Sequence, residues 1–93
     1  MTLDLTLYGR PDCCLCDAAA RLLAELRSQL DFHLTEVDIE QDDALHRRYL
    51  ERIPVLTMRD QVGETVLAEL DEFSLNVLKT LLAKVAEQRH AAI

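Results

Sequence analysis

Three cysteines fall within four positions near the start of the chain, in the run Gly9-Arg10-Pro11-Asp12-Cys13-Cys14-Leu15-Cys16. Cys13 and Cys16 are three apart, which puts both side chains on one face if a helix begins there. Two thiols so placed can close a reversible disulfide, and the thiolate form attacks disulfides or binds metals. A helix N-terminus favours that form, because it offers unpaired amide N–H groups and the positive end of the dipole. Arg10 adds a nearby positive charge, which Asp12 and Asp17 oppose. Dithiol exchange is the first expectation. The outer Cys13 would meet a substrate, and Cys16, a turn deeper, would resolve the mixed disulfide. Cys14 projects roughly 100° away around the helix, and a bridge between adjacent cysteines is strained. It reads as a bystander, or as an accessory thiol open to glutathione capping.

Other chemistries fit less well. Simple burial explains cysteines in general, but all three of this chain's cysteines share one turn flanked by glycine and proline. A structural zinc site needs four ligands; there is no second cysteine pair, and His33, His46 and His90 each stand alone. No metal ligand is assigned. Two alternatives to catalysis stay open: a redox-sensing or thiol-binding module without turnover, and a carrier whose metal or cluster bridges two copies.

The elements around the cysteines follow from periodicity. Leu3, Leu5 and Leu7 alternate with Asp4, Thr6 and Tyr8, the period of a strand, which Gly9 and Pro11 stop. Leu15, Ala19, Leu22, Leu23, Leu26 and Leu30 mark one face of a helix of about four turns. Phe32 to Ile39 reads as a second strand whose phase shifts between Leu34 and Val37, implying a bulge or burial on both faces. The acidic cluster Asp38-Glu40-Asp42-Asp43 reads as helix capping in preference to a metal site. A short helix over Asp43 to Glu51 follows, with Leu45 and Tyr49 on one face. Arg47, Arg48 and Arg52 read as a solvated face before an anion-binding surface.

Pro54 opens a third strand, Val55 to Arg59, and Asp60-Gln61-Val62-Gly63 turns into an antiparallel fourth, Thr65 to Leu70. Asp71 or Ser74 starts the last helix, with a stripe of Leu75, Leu78, Leu81, Leu82 and Val85, and the end frays from Gln88. The order is β-α-β-α-β-β-α: an α/β chain with at least one parallel crossover and a hairpin closing the other side of the sheet.

Ninety-three residues make one small domain, 1–93. An apolar fraction of 49% with 29% charged residues argues against disorder. No apolar run approaches the roughly 20 residues of a membrane span. No basic segment followed by an apolar run opens the chain, so the expected compartment is the cytoplasm, where thiols stay reduced. A net charge of −7 opposes nucleic acid and anionic membranes as partners.

With those residues in place, the chain resembles the glutaredoxin-like branch of the thioredoxin superfamily, in particular small glutaredoxin-like proteins of bacteria. The resemblance covers nearly the whole chain. It is carried by Leu5-Thr6-Leu7-Tyr8, Cys13-Cys14-Leu15-Cys16, Val37-Asp38-Ile39 and the Ile53-Pro54-Val55 step. It implies a three-layer thioredoxin-like fold with a four-stranded mixed sheet and a cis Pro54 beside the dithiol. It also implies a monomeric oxidoreductase with Cys13 as nucleophile and Cys16 as resolving thiol. Ile53 and Pro54 would clamp an extended substrate by its backbone, and Arg10 stands near a basic residue that meets the glutathione carboxylate. Substrates would be protein or glutathione disulfides, with glutathione as substrate or reductant and no resident cofactor. One stretch departs from the family. Glutaredoxins usually hold glutathione with a Gly-Gly turn and an Asp after the fourth strand, whereas this chain reads Leu67-Ala68-Glu69-Leu70-Asp71-Glu72. Glycine permits a close backbone approach and positive φ that Ala68 and Glu69 do not replace.

Overall fold

The computed structural model describes residues 3–91. Strand β1 (Leu3–Gly9) leads into helix α1 (Cys14–Leu26), strand β2 (Phe32–Asp38), a 3₁₀ turn (Ile39–Gln41) and helix α2 (Asp43–Tyr49). Strands β3 (Val55–Arg59) and β4 (Glu64–Glu69) and helix α3 (Leu75–Ala91) complete the chain. The sheet order is β2-β1-β3-β4. β1 pairs parallel with β2 and antiparallel with β3, and β4 pairs antiparallel with β3. The expected order of elements and the mixed sheet are both present.

Two apolar clusters make the three layers. Leu3, Leu5 and Leu7 of β1 meet Ala19, Leu23 and Leu26 of α1 and Leu78 and Leu82 of α3 on one face. On the other, Tyr8 and Val55 meet Tyr49 of α2, and Ile39, Ile53 and Cys16 close the cluster. The phase shift in β2 is two-sided burial. Phe32 and Leu34 serve the first cluster and Val37 the second, while the register with β1 runs unbroken from Leu3↔Phe32 to Gly9↔Asp38. The irregularity in the sheet lies elsewhere: Leu56 pairs with Ala68 but Thr57 with Val66, so Leu67 is the extra residue of a bulge in β4.

Several element ends differ from the sequence reading. α1 stops at Leu26, because the next turn tightens: Ser28 and Gln29 donate their N–H groups to Glu25 and Leu26, three residues back, and the Ser28 hydroxyl also donates to the Glu25 carbonyl. Leu30 still packs on the first cluster, but from this turn. β2 ends at Asp38, whose Oδ1 accepts the Glu40 N–H at 2.9 Å and starts the 3₁₀ turn. Asp42 Oδ1 accepts from Ala44 and Leu45 at 2.9 and 3.1 Å, so it caps α2. Ser74, not Asp71, caps α3: its Oγ accepts the Val77 N–H at 3.2 Å. The backbone is helical through Ala91, beyond the expected fraying at Gln88, and residues 92–93 lie outside the described ones. Among the described residues no helix is long and apolar enough to cross a membrane.

Candidate dithiol site

β1 delivers the chain to the end of the sheet, and a turn through Asp12 reverses it. Asp12 has φ 59, a left-handed conformation that a short polar side chain tolerates better than most. Cys13 then occupies the N-cap of α1 in extended geometry, and its Sγ accepts the Cys16 N–H at 3.2 Å. The sulfur thus takes the place of the usual capping oxygen, against an amide donor that stabilises negative charge. No disulfide joins the three cysteines: Cys13 is half-buried, Cys14 exposed and Cys16 buried.

Cys16 sits where α1 crosses the end of the sheet, 7% exposed and packed among Tyr8, Ile39, Tyr49, Ile53 and Val55. Burial, helped by the hydrogen bond with Cys13 and the charge of Asp17, pushes its thiol up to about 11 from 9.0. A backbone hydrogen bond from Arg10 acts the other way and is outweighed. Gly9 makes this placement feasible. A Cβ on Gly9 would lie 3.1 Å from both Cβ and Sγ of Cys16.

The Ile53–Pro54 peptide is cis. Ile53 packs in the same cluster as Cys16, and Cys13 lies against that cluster. Of the residues singled out in sequence, the structure therefore brings together Cys13, Cys16 and Ile53, with Pro54 fully buried next in the chain. The Ile53 N–H is already donated to Tyr49 O at 3.0 Å. Leu70, at φ 55, donates its N–H to Arg52 O and Pro54 O at 3.1 and 3.0 Å, and Arg52 is paired with Glu69. The stretch that replaces the Gly-Gly turn is thus tied to the proline loop. Arg10 is exposed and lines a cavity beside Cys16.

Tyr8 belongs to this site in a way its sequence does not suggest. Its alternation with leucines assigns it to a polar face, yet it is 5% exposed, with its ring 4.7 Å from that of Tyr49. Its hydroxyl donates to Glu64 Oε2 at 2.5 Å, and the buried Thr57 donates to the same oxygen at 2.8 Å. Burial and Glu64 together push Tyr8 up to about 12. No local signal marks Tyr8, since α2 reaches this face from about forty residues further along the chain. Among the described residues, no three side chains are grouped to hold a metal ion.

A four-stranded mixed sheet between helices, with two cysteines at the first helix and a cis proline opening the third strand, defines a thioredoxin-fold protein with a dithiol. Thioredoxin 1 from Thermosipho africanus TCF52B shares that fold, with TM-score 0.69 at 13% identity over 94% of this chain and 98% of its own. Residues 4–85 match the model of the glutaredoxin-like domain (DUF836), and the chain belongs to that family. Two structural genomics proteins are similar along most of their length. XcR50 from X. campestris is 38% identical over 86% of this chain and 96% of its own, with TM-score 0.63. Ne2328 from Nitrosomonas europaea is 28% identical over 86% and 91%, with TM-score 0.67. No curated protein matches the chain. Family, fold and cysteine pair together indicate a redox-related role.

Proposed function

We propose that the protein is a thiol–disulfide oxidoreductase acting on protein or glutathione disulfides, as a monomer in the cytoplasm, without a resident cofactor, nucleic acid or membrane partner. The observation that carries this reading is the asymmetry of the pair. Cys13 is half-buried at the N-cap with an amide donor on its sulfur, and Cys16 is enclosed behind it with its thiol held protonated.

The Cys13 thiolate attacks one substrate sulfur, the substrate S–S bond breaks, and the departing thiolate takes a proton from solvent. Cys16 then loses its proton and attacks the Cys13 sulfur. This closes the Cys13–Cys16 bond and releases the second substrate thiol, so two electrons pass from the dithiol to the substrate. Ile53 would meet the substrate through its backbone carbonyl, with the buried Pro54 holding that peptide in place behind it, and Arg10 would offer a charge to a carboxylate. The tied-down Leu70 favours protein disulfides over glutathione.

The test is a parallel assay of a protein disulfide and a glutathione mixed disulfide with the three single variants. Cys13→Ser should abolish exchange with both, and Cys14→Ser should largely spare it. Loss of activity in Cys14→Ser with Cys13→Ser still active would make Cys14 the nucleophile, and an inactive wild type would point instead to a module without turnover.

A further inference from the structure

α2 ends in a basic run. Three of the chain's ten lysines and arginines, Arg47, Arg48 and Arg52, fall within six residues there. With His46, Leu50 and Glu51 they border a cavity of about 530 Å³. Arg52 is neutralised by Glu69. Arg47 and Arg48 are exposed, and neither makes an ion pair within the described residues. Arg47 Nε donates to the Asp43 carbonyl at 3.4 Å, back at the start of the helix. Arg48 lies 5.9 Å from the centre of the Tyr49 ring and acts on Glu64 only from beyond ion-pair distance. Neither arginine therefore hydrogen-bonds the last carbonyls of α2, the usual structural use of a cation at a helix C-terminus. Two full positive charges stand unpaired on a chain of net charge −7.

These charges lie next to the dithiol. Tyr49, beside Arg48 in sequence, belongs to the apolar cluster that Cys13 and Leu45 lie against. α2 is thus the helix that shares this cluster with the outer cysteine.

We propose that the Arg47–Arg48 face of α2 docks a short acidic segment of the protein whose disulfide Cys13 attacks. The inference rests on the proposed exchange at Cys13 and names a partner chemistry for it. The net negative charge repels an acidic partner at long range, but salt screens that repulsion beyond about 8 Å. Closer in, the local pair of guanidinium groups decides which way the partner settles. The exposed Leu50 beside them offers apolar contact. The docked stretch must be short. Asp42 and Asp43 begin α2, Glu51 follows Leu50, and Asp71 and Glu72 follow β4. A long polyanion such as RNA would run onto these carboxylates.

The probe is a peptide closed by one disulfide and extended at both ends by four glutamates, compared with its glutamine and lysine counterparts. At low salt, kcat/KM for the glutamate peptide should exceed that for the glutamine peptide about fivefold, with the lysine peptide slowest. The spread should shrink in about 0.5 M salt. The advantage should vanish in Arg47→Gln/Arg48→Gln. It should persist in Lys79→Gln/Lys84→Gln, which removes the same charge from α3 on the other face of the sheet. A glutamate peptide without cysteines, at millimolar concentration, should shift the backbone amide NMR signals of residues 46–50. Equal rates for the glutamate and glutamine peptides, or an equal loss in the α3 double variant, would overturn the proposal. So would an RNA oligonucleotide that shifts the same amides more strongly than the peptide. Exchange without a charge preference keeps the proposed function and loses only this inference. Shifts at α2 with no exchange on any peptide would keep the acidic docking face and remove the oxidoreductase reading.

Discussion

Gly9 and Cys16 touch so closely that a methyl group on the glycine would stand 3.1 Å from both side-chain atoms of the cysteine. β1 and α1 meet at this contact, which holds the buried thiol behind Cys13. Gly9→Ala should therefore overpack the second cluster, costing about 1–3 kcal/mol in urea unfolding, and should slow closure of the Cys13–Cys16 disulfide. A variant within about 0.5 kcal/mol of wild type would show that α1 yields without strain.

Alkaline pH should destabilise the reduced protein. Cys16 rises from 9.0 to about 11, with burial the largest cause, and Tyr8 rises from 10.0 to about 12 for the same leading reason. The unfolded chain therefore loses these protons first, and stability falls as pH climbs from about 9 through 12. Urea midpoints of the reduced protein should drop over that range, and the drop should be shallower in both Cys16→Ala and Tyr8→Phe. Equal slopes in all three proteins would mean that neither group is shifted.

Glu64 and Thr57 should be energetically coupled. Partial burial acts to raise the Glu64 carboxyl, but donation from Tyr8 and Thr57 and the charges of Arg59 and Arg48 outweigh it and hold it below its usual range. Its contribution is present above the ordinary carboxyl range and is lost as pH falls through the lowered value. Glu64→Ala strands the buried Thr57 hydroxyl and should cost about 1–3 kcal/mol. Adding Thr57→Val removes that stranded group, so the double variant should lose less than the sum of the singles. Strict additivity would argue against a shared hydrogen bond.

Much of the site was legible in the residues. Leu3, Leu5 and Leu7 alternate strictly and are buried as that pattern requires, and the spacing of Cys13 and Cys16 placed both at the start of α1. What stayed hidden depends on contacts between distant segments. Tyr8 looks half-polar until α2 folds over it, and Gly9 looks like punctuation until Cys16 is set against it. The bulge at Leu67 and the turn after Leu26 were hidden for another reason. Leu67 and Leu30 keep an apolar pattern going where the backbone hydrogen bonding has already changed.

Capping of α2 should matter beyond that helix. Asp42 satisfies two of its first N–H groups, and the far end supplies Tyr49, whose carbonyl accepts the Ile53 N–H. Asp42→Ala should cost about 1 kcal/mol and raise hydrogen exchange at Ile53 more than at Leu78, in the first turns of α3. Uniform acceleration at both amides would mean that the loss is global.

The Tyr49–Ile53 bond also sets a condition on the proposed contact between Ile53 and a peptide substrate. With its N–H used internally, Ile53 has only its carbonyl to offer an extended peptide, so strand addition at this residue requires a donor from the substrate. In a disulfide-containing peptide substrate, methylating the one backbone nitrogen that faces Ile53 should raise KM about tenfold and leave kcat nearly unchanged, since a hydrogen bond of this kind is worth about 1–1.5 kcal/mol. Methylating its neighbours in turn should have little effect. A scan in which no single position matters would remove Ile53 from the proposed substrate contacts, and one in which two adjacent positions matter equally would require the peptide to pair with a residue other than Ile53.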